Sequence, residues 1–327
     1  MFQKQHICFG LMTATLLLAA GQAQAQIAYT TTGRTLFSFD LATPGTLTDL
    51  GAFTGATTNV DGLDFRLHAV ALRGRIAQPS PATTNVDGLD FRPANGLLYG
   101  YHQASNQVVV INPANAVTTF VSTPSTGLSA ASLGIDFNPV PDRLRLVNVD
   151  DQNLRFNVDT GATLVDGTLA YAGGDLNAGV NPSIAEVAYT NRDNDIATGT
   201  TLFYIDSGLD ILATTSIPNN GVLITVGALG VDTTGNVGFD IITPSFGNNL
   251  AYAILDTSIQ GGFASRLYSI NLGNGAATLI GTLDSSGIEL DGVPVRGLAI
   301  TPEPGSLALL ATGLIGAIAF RRRRVRV

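Results

Sequence analysis

The chain has few of the residues on which many protein chemistries depend. Of its 327 residues, one is cysteine, two are methionine and none is tryptophan. The single cysteine, Cys8, lies near the N-terminus, so the rest of the chain can form no disulfide, cysteine metal site or thiol nucleophile. Charged residues make up only 13%, whereas 45% are hydrophobic. This composition excludes long disordered polar tracts and provides enough apolar surface for a large core.

Basic residues are scarce outside the two ends of the chain. Lys4 and the five arginines after position 320 account for six of the 17 basic residues, which leaves 11 against 25 acidic residues. A body with this negative balance has no basic patch with which to neutralise phosphates. We therefore expect no nucleic-acid partner.

Candidate catalytic groups are also few. The sequence contains three glutamates and three histidines, and it has no Gly-x-Ser-x-Gly elbow, phosphate-binding glycine loop or zinc motif. His102 follows Tyr101 at the end of a predicted strand, where we expect it at the surface. A catalytic site would have to rely on aspartates, and no paired-carboxylate motif stands out. The sequence thus predicts no catalytic residue.

The N-terminus has the three parts of a secretory signal peptide. Lys4 precedes an apolar run from about Ile7 to Ala20, and Ala23 and Ala25 form the small-x-small pattern that signal peptidase accepts. We predict a signal peptide over residues 1–25 that is cleaved after Ala25. The alternative is a buried N-terminal helix.

The C-terminus, residues 302–327, carries a second targeting segment. Pro302, Glu303 and Pro304 precede an apolar run, Gly305–Phe320, which is shorter than the ~20 residues of a full membrane span. A basic cluster follows, and the positive-inside rule would hold it in the cytoplasm; its residues are Arg321, Arg322, Arg323 and Arg324. We expect transient insertion into the inner membrane, and the alternative is a permanent single-span anchor.

This order of motif, apolar run and arginines resembles the PEP-CTERM sorting signal. The resemblance implies that an exosortase removes the tail, so that the arginines are absent from the mature protein. It also implies a Gram-negative bacterium that makes exopolysaccharide. The expected location is the cell surface, the outer membrane or the extracellular space.

One internal repeat is exact. The segment ATTNVDGLDFR occurs at Ala56–Arg66 and again at Ala82–Arg92. We interpret residues 56–81 as an insert from a recent tandem duplication, whose spacer forms a surface loop. The alternative is a duplicated element that binds a ligand.

A weaker repeat of roughly 46–52 residues runs through the body, as expected for four-stranded propeller blades. Repeats begin near Gly88, Gly134, Val187 and Gly238, and each contains short alternating segments rich in β-branched and aromatic residues. The third strand of each blade is predicted to include Val108–Asn112, Leu154–Asp159, Leu202–Asp206 and Leu267–Asn271 in turn.

The first and last parts of the body complete one more blade. The segment after Ile27 supplies three strands, and Val295–Ile300 supplies the missing first strand. We therefore predict an all-β fold over residues 26–301, a β-propeller of five four-stranded blades closed by pairing of the two ends of the body. Six blades, with strands from the duplicated segment, or a β-sandwich are the alternatives.

The body also resembles a family of exported bacterial domains of unknown function, DUF4394. The matching stretches are GLDFRPANGLLYG, DRLRLVNVDDQNLRFNVDTGA, PNNGVLITVGALGVD, GFDI and RLYSINLGNGAATLIG. They cover most of Ile27–Ile300. The family has no known activity, so the resemblance implies no catalytic residue.

Three aspartates occupy the same place in three blade-opening strands, Asp90, Asp136 and Asp240. Tyr189 and Ala299 are assigned to that place in the other two blades. The opening strand of a propeller blade lines the central channel, so three carboxylates there could hold Ca²⁺ or another divalent cation through oxygen ligands. The alternative is that each aspartate caps a turn or binds the backbone of a neighbouring blade.

Two other acidic pairs have spacings that could contact calcium. Asp193 and Asp195 lie in NRDNDIATG, which lacks the glycine and the terminal glutamate of an EF-hand loop. We predict a solvated hairpin loop there, and the same for Asp150 and Asp151.

These features predict an exported, non-catalytic propeller that binds exopolysaccharide or a surface partner. The alternative function is a metal-dependent hydrolase or lyase that uses the channel aspartates. Apart from a divalent cation, no cofactor is expected.

Overall fold

The computed structural model describes residues 26–55, 85–129, 132–193, 195–245, 247–259, 262–283 and 295–302. Several sequence predictions therefore lie outside the described residues. These are the signal peptide over 1–25 with Ala23 and Ala25, the insert over 56–81, and the tail residues Glu303, Pro304 and Arg321 to Arg324. Within the described ranges, no helix is long and apolar enough to cross a membrane.

The described strands form five sheets, which we number as blades 1–5 in chain order. Blade 1 contains β1 (Ile27–Thr31), β2 (Thr35–Asp40) and β3 (Thr43–Ala52). Blade 2 contains β4 (Gly88–Phe91), β5 (Leu98–His102), β6 (Gln107–Ile111) and β7 (Thr118–Ser122). Blade 3 contains β8 (Leu133–Asn138), β9 (Arg143–Asn148), β10 (Asn153–Phe156) and β11 (Thr163–Val165).

Blade 4 has an additional short strand at its outer edge. The strand β12 (Ala170–Tyr171) runs parallel to the outermost antiparallel strand, β16. The blade is built from β13 (Ile184–Tyr189), β14 (Leu202–Asp206), β15 (Ile211–Thr215) and β16 (Val222–Ala228). Blade 5 contains β17 (Val237–Ser245), β18 (Asn248–Ile259), β19 (Gly262–Ile270) and β20 (Ala277–Thr282).

The two ends of the body close the ring. The last strand, β21 (Arg296–Ile300), pairs antiparallel with β1 and becomes the innermost strand of blade 1. The innermost strands then contact one another in a circle, in the order β21, β4, β8, β13, β17 and back to β21. This arrangement confirms the predicted five-bladed β-propeller and its closure by the terminal strands.

The hydrophobic core is divided among the interfaces between blades. Five clusters of buried side chains are present in the described chain, and each joins two neighbouring blades. The inner strands are buried on both faces, as in β13, where all six residues are buried. The outermost strands are largely solvated, as in β20, where Leu279 is 52% exposed. Burial between blades therefore supplies the packing that a single four-stranded sheet cannot.

Glycines allow the inner strands to approach one another closely. A β-carbon on Gly134 would lie 2.5 Å from the Cα of Glu186 in blade 4, and one on Gly238 would lie 2.6 Å from the carbonyl carbon of Gly297 in blade 1. Real β-carbons do not come so near to backbone atoms. Gly134 and Gly238 are therefore contact points between neighbouring blades.

The sequence assignment of blade 4 is shifted by one strand. Leu202–Asp206, predicted as its third strand, is the second strand β14, and the third is β15. The cause is the long connection from Asn191 to Thr201 between the first two strands, which the repeat pattern did not separate from the strands beside it. The third strands of blades 2, 3 and 5 lie where the pattern predicts them.

Candidate functional site: a buried acidic channel

The three predicted aspartates meet at the centre of the ring. One carboxylate oxygen from each of Asp90, Asp136 and Asp240 lies within 4.8 Å of the others. These residues are at most 2% exposed. They occupy the same register position in β4, β8 and β17, and we call them the channel aspartates.

Two of the channel aspartates accept hydrogen bonds from the backbone of the next blade. The carboxylate of Asp90 accepts one from the N–H of Phe137 at 2.8 Å. The carboxylate of Asp136 accepts one from the N–H of Tyr189 at 3.2 Å. Both bonds cross from one inner strand to the next, which is the second interpretation offered by the sequence. The same carboxylates can also serve as ligands through their other oxygens.

The third channel aspartate also accepts a hydrogen bond from the backbone of the next blade, and it forms an ion pair. Asp240 accepts a hydrogen bond from the N–H of Ile300 at 2.7 Å. Arg192, which follows β13, lies 3.1 Å from Asp240 Oδ2 and also donates to the carbonyl oxygen of Ile300 at 3.2 Å. The guanidinium is therefore a fixed cation at one side of the cluster. No spacing in the sequence links Arg192 to Asp240.

The hydrogen bonds also correct the alignment of blade 4. Tyr189 donates its N–H to Asp136 just as Phe137 donates to Asp90, so Tyr189 matches the residue after the aspartate. The residue at the aspartate position is therefore Ala188. The assignment of Ala299 in β21 is consistent with the structure, because the following residue, Ile300, is the donor to Asp240.

This correction places a glutamate at the glycine position of blade 4. Glu186 precedes Ala188 by two residues, as Gly88 precedes Asp90. Alternate residues of a strand share a face, so Glu186 and the aspartate position face the same way. Its side chain is 1% exposed, and neither carboxylate oxygen has a hydrogen-bond partner among the described residues. The repeat analysis missed this residue because it placed Tyr189, not Ala188, at the aspartate position.

Burial dominates the electrostatics of the channel. It raises the pKa of Asp90 to about 7, with a further increase from the charge of Asp240. Burial also raises the pKa of Asp136, and the charge of Asp90 adds to the effect. The pKa of Glu186 is raised well above its usual value by burial and then by the charges of Asp90 and Asp240. The low dielectric of the channel thus makes several ionised carboxylates unfavourable together.

A shallow depression opens at one end of the channel. It has a volume of about 190 Å³ and adjoins a second depression of about 390 Å³, and Asp87 and Arg296 line both. These two residues form an ion pair of 3.1 Å. We call this region the channel mouth, and its other polar lining residues include Thr32, Asn85, Ser132 and Asn236. Asp87 precedes Asp90 by three residues, so the mouth lies ~10 Å from the channel aspartates along the strands.

His102 is buried, contrary to the prediction of a surface position. It is 9% exposed, and burial lowers its pKa. Its Nδ1 lies 2.6 Å from Ser105 Oγ, while its Nε2 accepts a hydrogen bond from the backbone N–H of Asn85 at 3.1 Å. The backbone N–H of Ser105 also donates to Nδ1 at 3.3 Å, and the Ser105 hydroxyl donates to Gln107 Oε1 at 3.0 Å. These bonds hold the ring against the turn between β5 and β6.

The two outer acidic pairs differ in their surroundings. Asp193 Oδ1 accepts hydrogen bonds from the N–H of Asp195 and the hydroxyl of Thr198. Both aspartates are exposed, in line with the predicted solvated hairpin loop. Asp150 is exposed too, and its Oδ2 accepts a hydrogen bond of 2.8 Å from the hydroxyl of Ser129, which lies in the connection between β7 and β8. Asp151 is half-buried, and burial raises its pKa.

The fold and the channel together define a five-bladed propeller with a buried acidic centre. The family model described as Domain of unknown function (DUF4394) matches residues 69–299, which is most of the chain. The chain belongs to this family. The PEP-CTERM protein-sorting motif matches residues 301–324 and begins directly after β21. The protein is therefore exported by a Gram-negative bacterium, and an exosortase sorts it.

Several solved structures resemble the chain at low identity. A chain of the nidogen/laminin complex is 10% identical, with a TM-score of 0.46, and the match covers 85% of this chain and 98% of that one. A protein from Lactobacillus plantarum is 17% identical, with a TM-score of 0.38 and coverage of 84% and 71%. A protein of unknown function from Bacteroides thetaiotaomicron is 12% identical, with a TM-score of 0.43 and coverage of 83% and 62%. No curated protein matches the chain.

Proposed function

We propose that the protein is a non-catalytic propeller, retained at the cell surface or in the extracellular matrix, that binds exopolysaccharide at the channel mouth. The observation that supports this proposal is that the propeller ends at Ile300, directly before the sorting motif. The ring is complete at that residue, and the sorting motif starts at the next one. Removal of the tail would therefore leave the propeller intact.

The buried aspartates favour a binding function over the alternative of a metal-dependent hydrolase or lyase. Such an enzyme needs an open, water-holding position on its metal, within reach of the substrate. The channel aspartates are at most 2% exposed, and each uses an oxygen to hold the backbone of the next blade. A polymer such as a polysaccharide could not reach them without opening the ring.

The channel mouth has suitable chemistry for sugar hydroxyl groups. Ser132 and Asn236 provide hydroxyl and amide groups, and Arg296 and Asp87 provide a charged donor and acceptor. Such groups fix the orientation of a ligand in a pocket. The larger depression, at about 390 Å³, is within the size range of small-molecule sites. The mouth would therefore accommodate a short section of a polysaccharide chain.

The first experiment is retention of the exported protein on exopolysaccharide from the producing strain, with and without a chelator. We expect retention in both conditions, and we expect Arg296→Met to reduce it. Arg143→Met is the matched control, because Arg143 begins β9 at the opposite end of the inner strands. Circular dichroism of each variant would verify folding. Absence of retention in both conditions, or equal loss in the two arginine variants, would contradict the proposal.

A further inference from the structure

The centre of the ring holds more negative charge than its described partners neutralise. Four carboxyl groups, those of the channel aspartates and Glu186, interact with one another, and Arg192 is the cation paired with them. An uncompensated buried carboxylate is costly in a low-dielectric interior. The groups must therefore take up protons or share another cation.

Buried carboxylate oxygens that lack a hydrogen-bond partner indicate where that cation would bind. Asp90 Oδ1 and both carboxylate oxygens of Glu186 are buried and have no hydrogen-bond partner among the described residues. Glu186 Oε2 would lie 2.5 Å from a β-carbon on Gly134, so the carboxylate rests against β8 two residues before Asp136. Glu186 thus brings two free acceptors to the same channel from another blade, between the mouth and the channel aspartates.

The spacing of the oxygens suits calcium. Ca²⁺ binds oxygen ligands at about 2.3–2.6 Å, so ligands on opposite sides of the ion are ~5 Å apart. One oxygen from each channel aspartate lies within 4.8 Å of the others. Mg²⁺ requires near-ideal octahedral geometry and tends to keep several waters, which a buried site built of carboxylates does not favour.

The geometry points to a calcium site in the channel, formed by Asp90, Asp136 and Asp240, with the carboxylate of Glu186 beside it as a further negative charge. The three ligands come from blades 2, 3 and 5, and Arg192 holds Asp240 from the side. Calcium and Arg192 together neutralise three of the four negative charges. The ion would tie three blades to one another at their innermost strands, so calcium is a structural component of the ring. This inference is independent of what the channel mouth binds.

The test is calorimetric titration of calcium into the exported protein after treatment with a chelator. We expect one ion per chain, binding more tightly than magnesium, and a higher thermal transition in calcium than in chelator. Glu186→Gln should weaken calcium binding by about tenfold, because it removes a buried negative charge that interacts with Asp90 and Asp240. Asp232→Asn is the matched control, since Asp232 is an exposed aspartate of blade 5 that precedes β17.

Melting of the Glu186→Gln variant in chelator distinguishes a weakened calcium site from a damaged fold. Gln has the shape of Glu without its charge, so Glu186→Gln should melt at least as high as the wild type when no calcium is present. It should then lose most of the calcium-dependent increase. Asp90→Asn keeps an acceptor for the N–H of Phe137 and should behave in the same way. A wild-type protein that binds no calcium, or equal calcium binding in the two channel variants and Asp232→Asn, would overturn the proposal.

Discussion

Replacing Gly134 by alanine would place a methyl group where blades 3 and 4 touch. The new β-carbon would lie 2.5 Å from the Cα of Glu186, whereas ordinary contacts begin at 3.4 Å. Strand β13 would have to move by about 0.9 Å, the difference between those two values. Such overpacking costs about 1–3 kcal/mol. The usual gain from replacing a strand glycine, ~0.5–1 kcal/mol, is too small to offset it.

The matching glycine of blade 2 is the control for this prediction. The nearest atoms to a β-carbon on Gly88 are side-chain atoms of Ile135 and Leu133 at 3.1 Å, and not backbone atoms, so a shift of a few tenths of an ångström is enough to admit it. Urea unfolding of the two alanine variants should therefore give a clearly larger loss of unfolding free energy for Gly134→Ala. Equal losses, or no loss for Gly134→Ala, would refute the idea that these glycines set the distance between blades.

Three further changes test the polar interior. Arg145→Met should lower the free energy of unfolding by about 3–5 kcal/mol in urea titrations. Arg145 is 1% exposed, and its replacement leaves Asp166 with one fewer cation. Burial lowers the pKa of His102, so the folded state binds fewer protons and stability should fall as the pH drops below about 6.5. The melting temperature of His102→Gln should depend less on pH over that range than the melting temperature of the wild type. An equal pH dependence in the two proteins would contradict this assignment. Tyr171→Phe removes the 2.7 Å hydrogen bond to the buried Asp206 and should cost about 1–3 kcal/mol, which a cost below 0.5 kcal/mol would contradict.

The architecture was predictable because it repeats. The Gly-x-Asp pattern at Gly88, Gly134 and Gly238 located three inner strands, and Val295–Ile300 completed the ring. A regular pattern of short alternating strands leaves few other arrangements that bury every blade. The position of the channel aspartates followed from the same register, because side chains at one register position face one direction.

Contacts between distant segments were not predictable from spacing. Arg192 and Asp240 are 48 residues apart, and their ion pair depends on the connection after β13 bending across the channel. His102 ends a strand, which suggested exposure, but the backbone of Asn85 and the side chain of Ser105 cover its ring. Both outcomes depend on loop conformations that local sequence does not determine.

Blade 4 departs from the repeat at two linked positions, and this departure is the main argument for a function of the channel. Ala188 replaces the aspartate, and Glu186 replaces the glycine two residues earlier. The carboxylate removed from one position is thus restored at the other, on the same face of the strand. A buried glutamate with no partner in the described chain is a local conflict that would destabilise the ring by itself. Such conflicts are expected where a site requires them. A cation held by the channel aspartates would remove the conflict, because its charge offsets the negative charges with which Glu186 interacts.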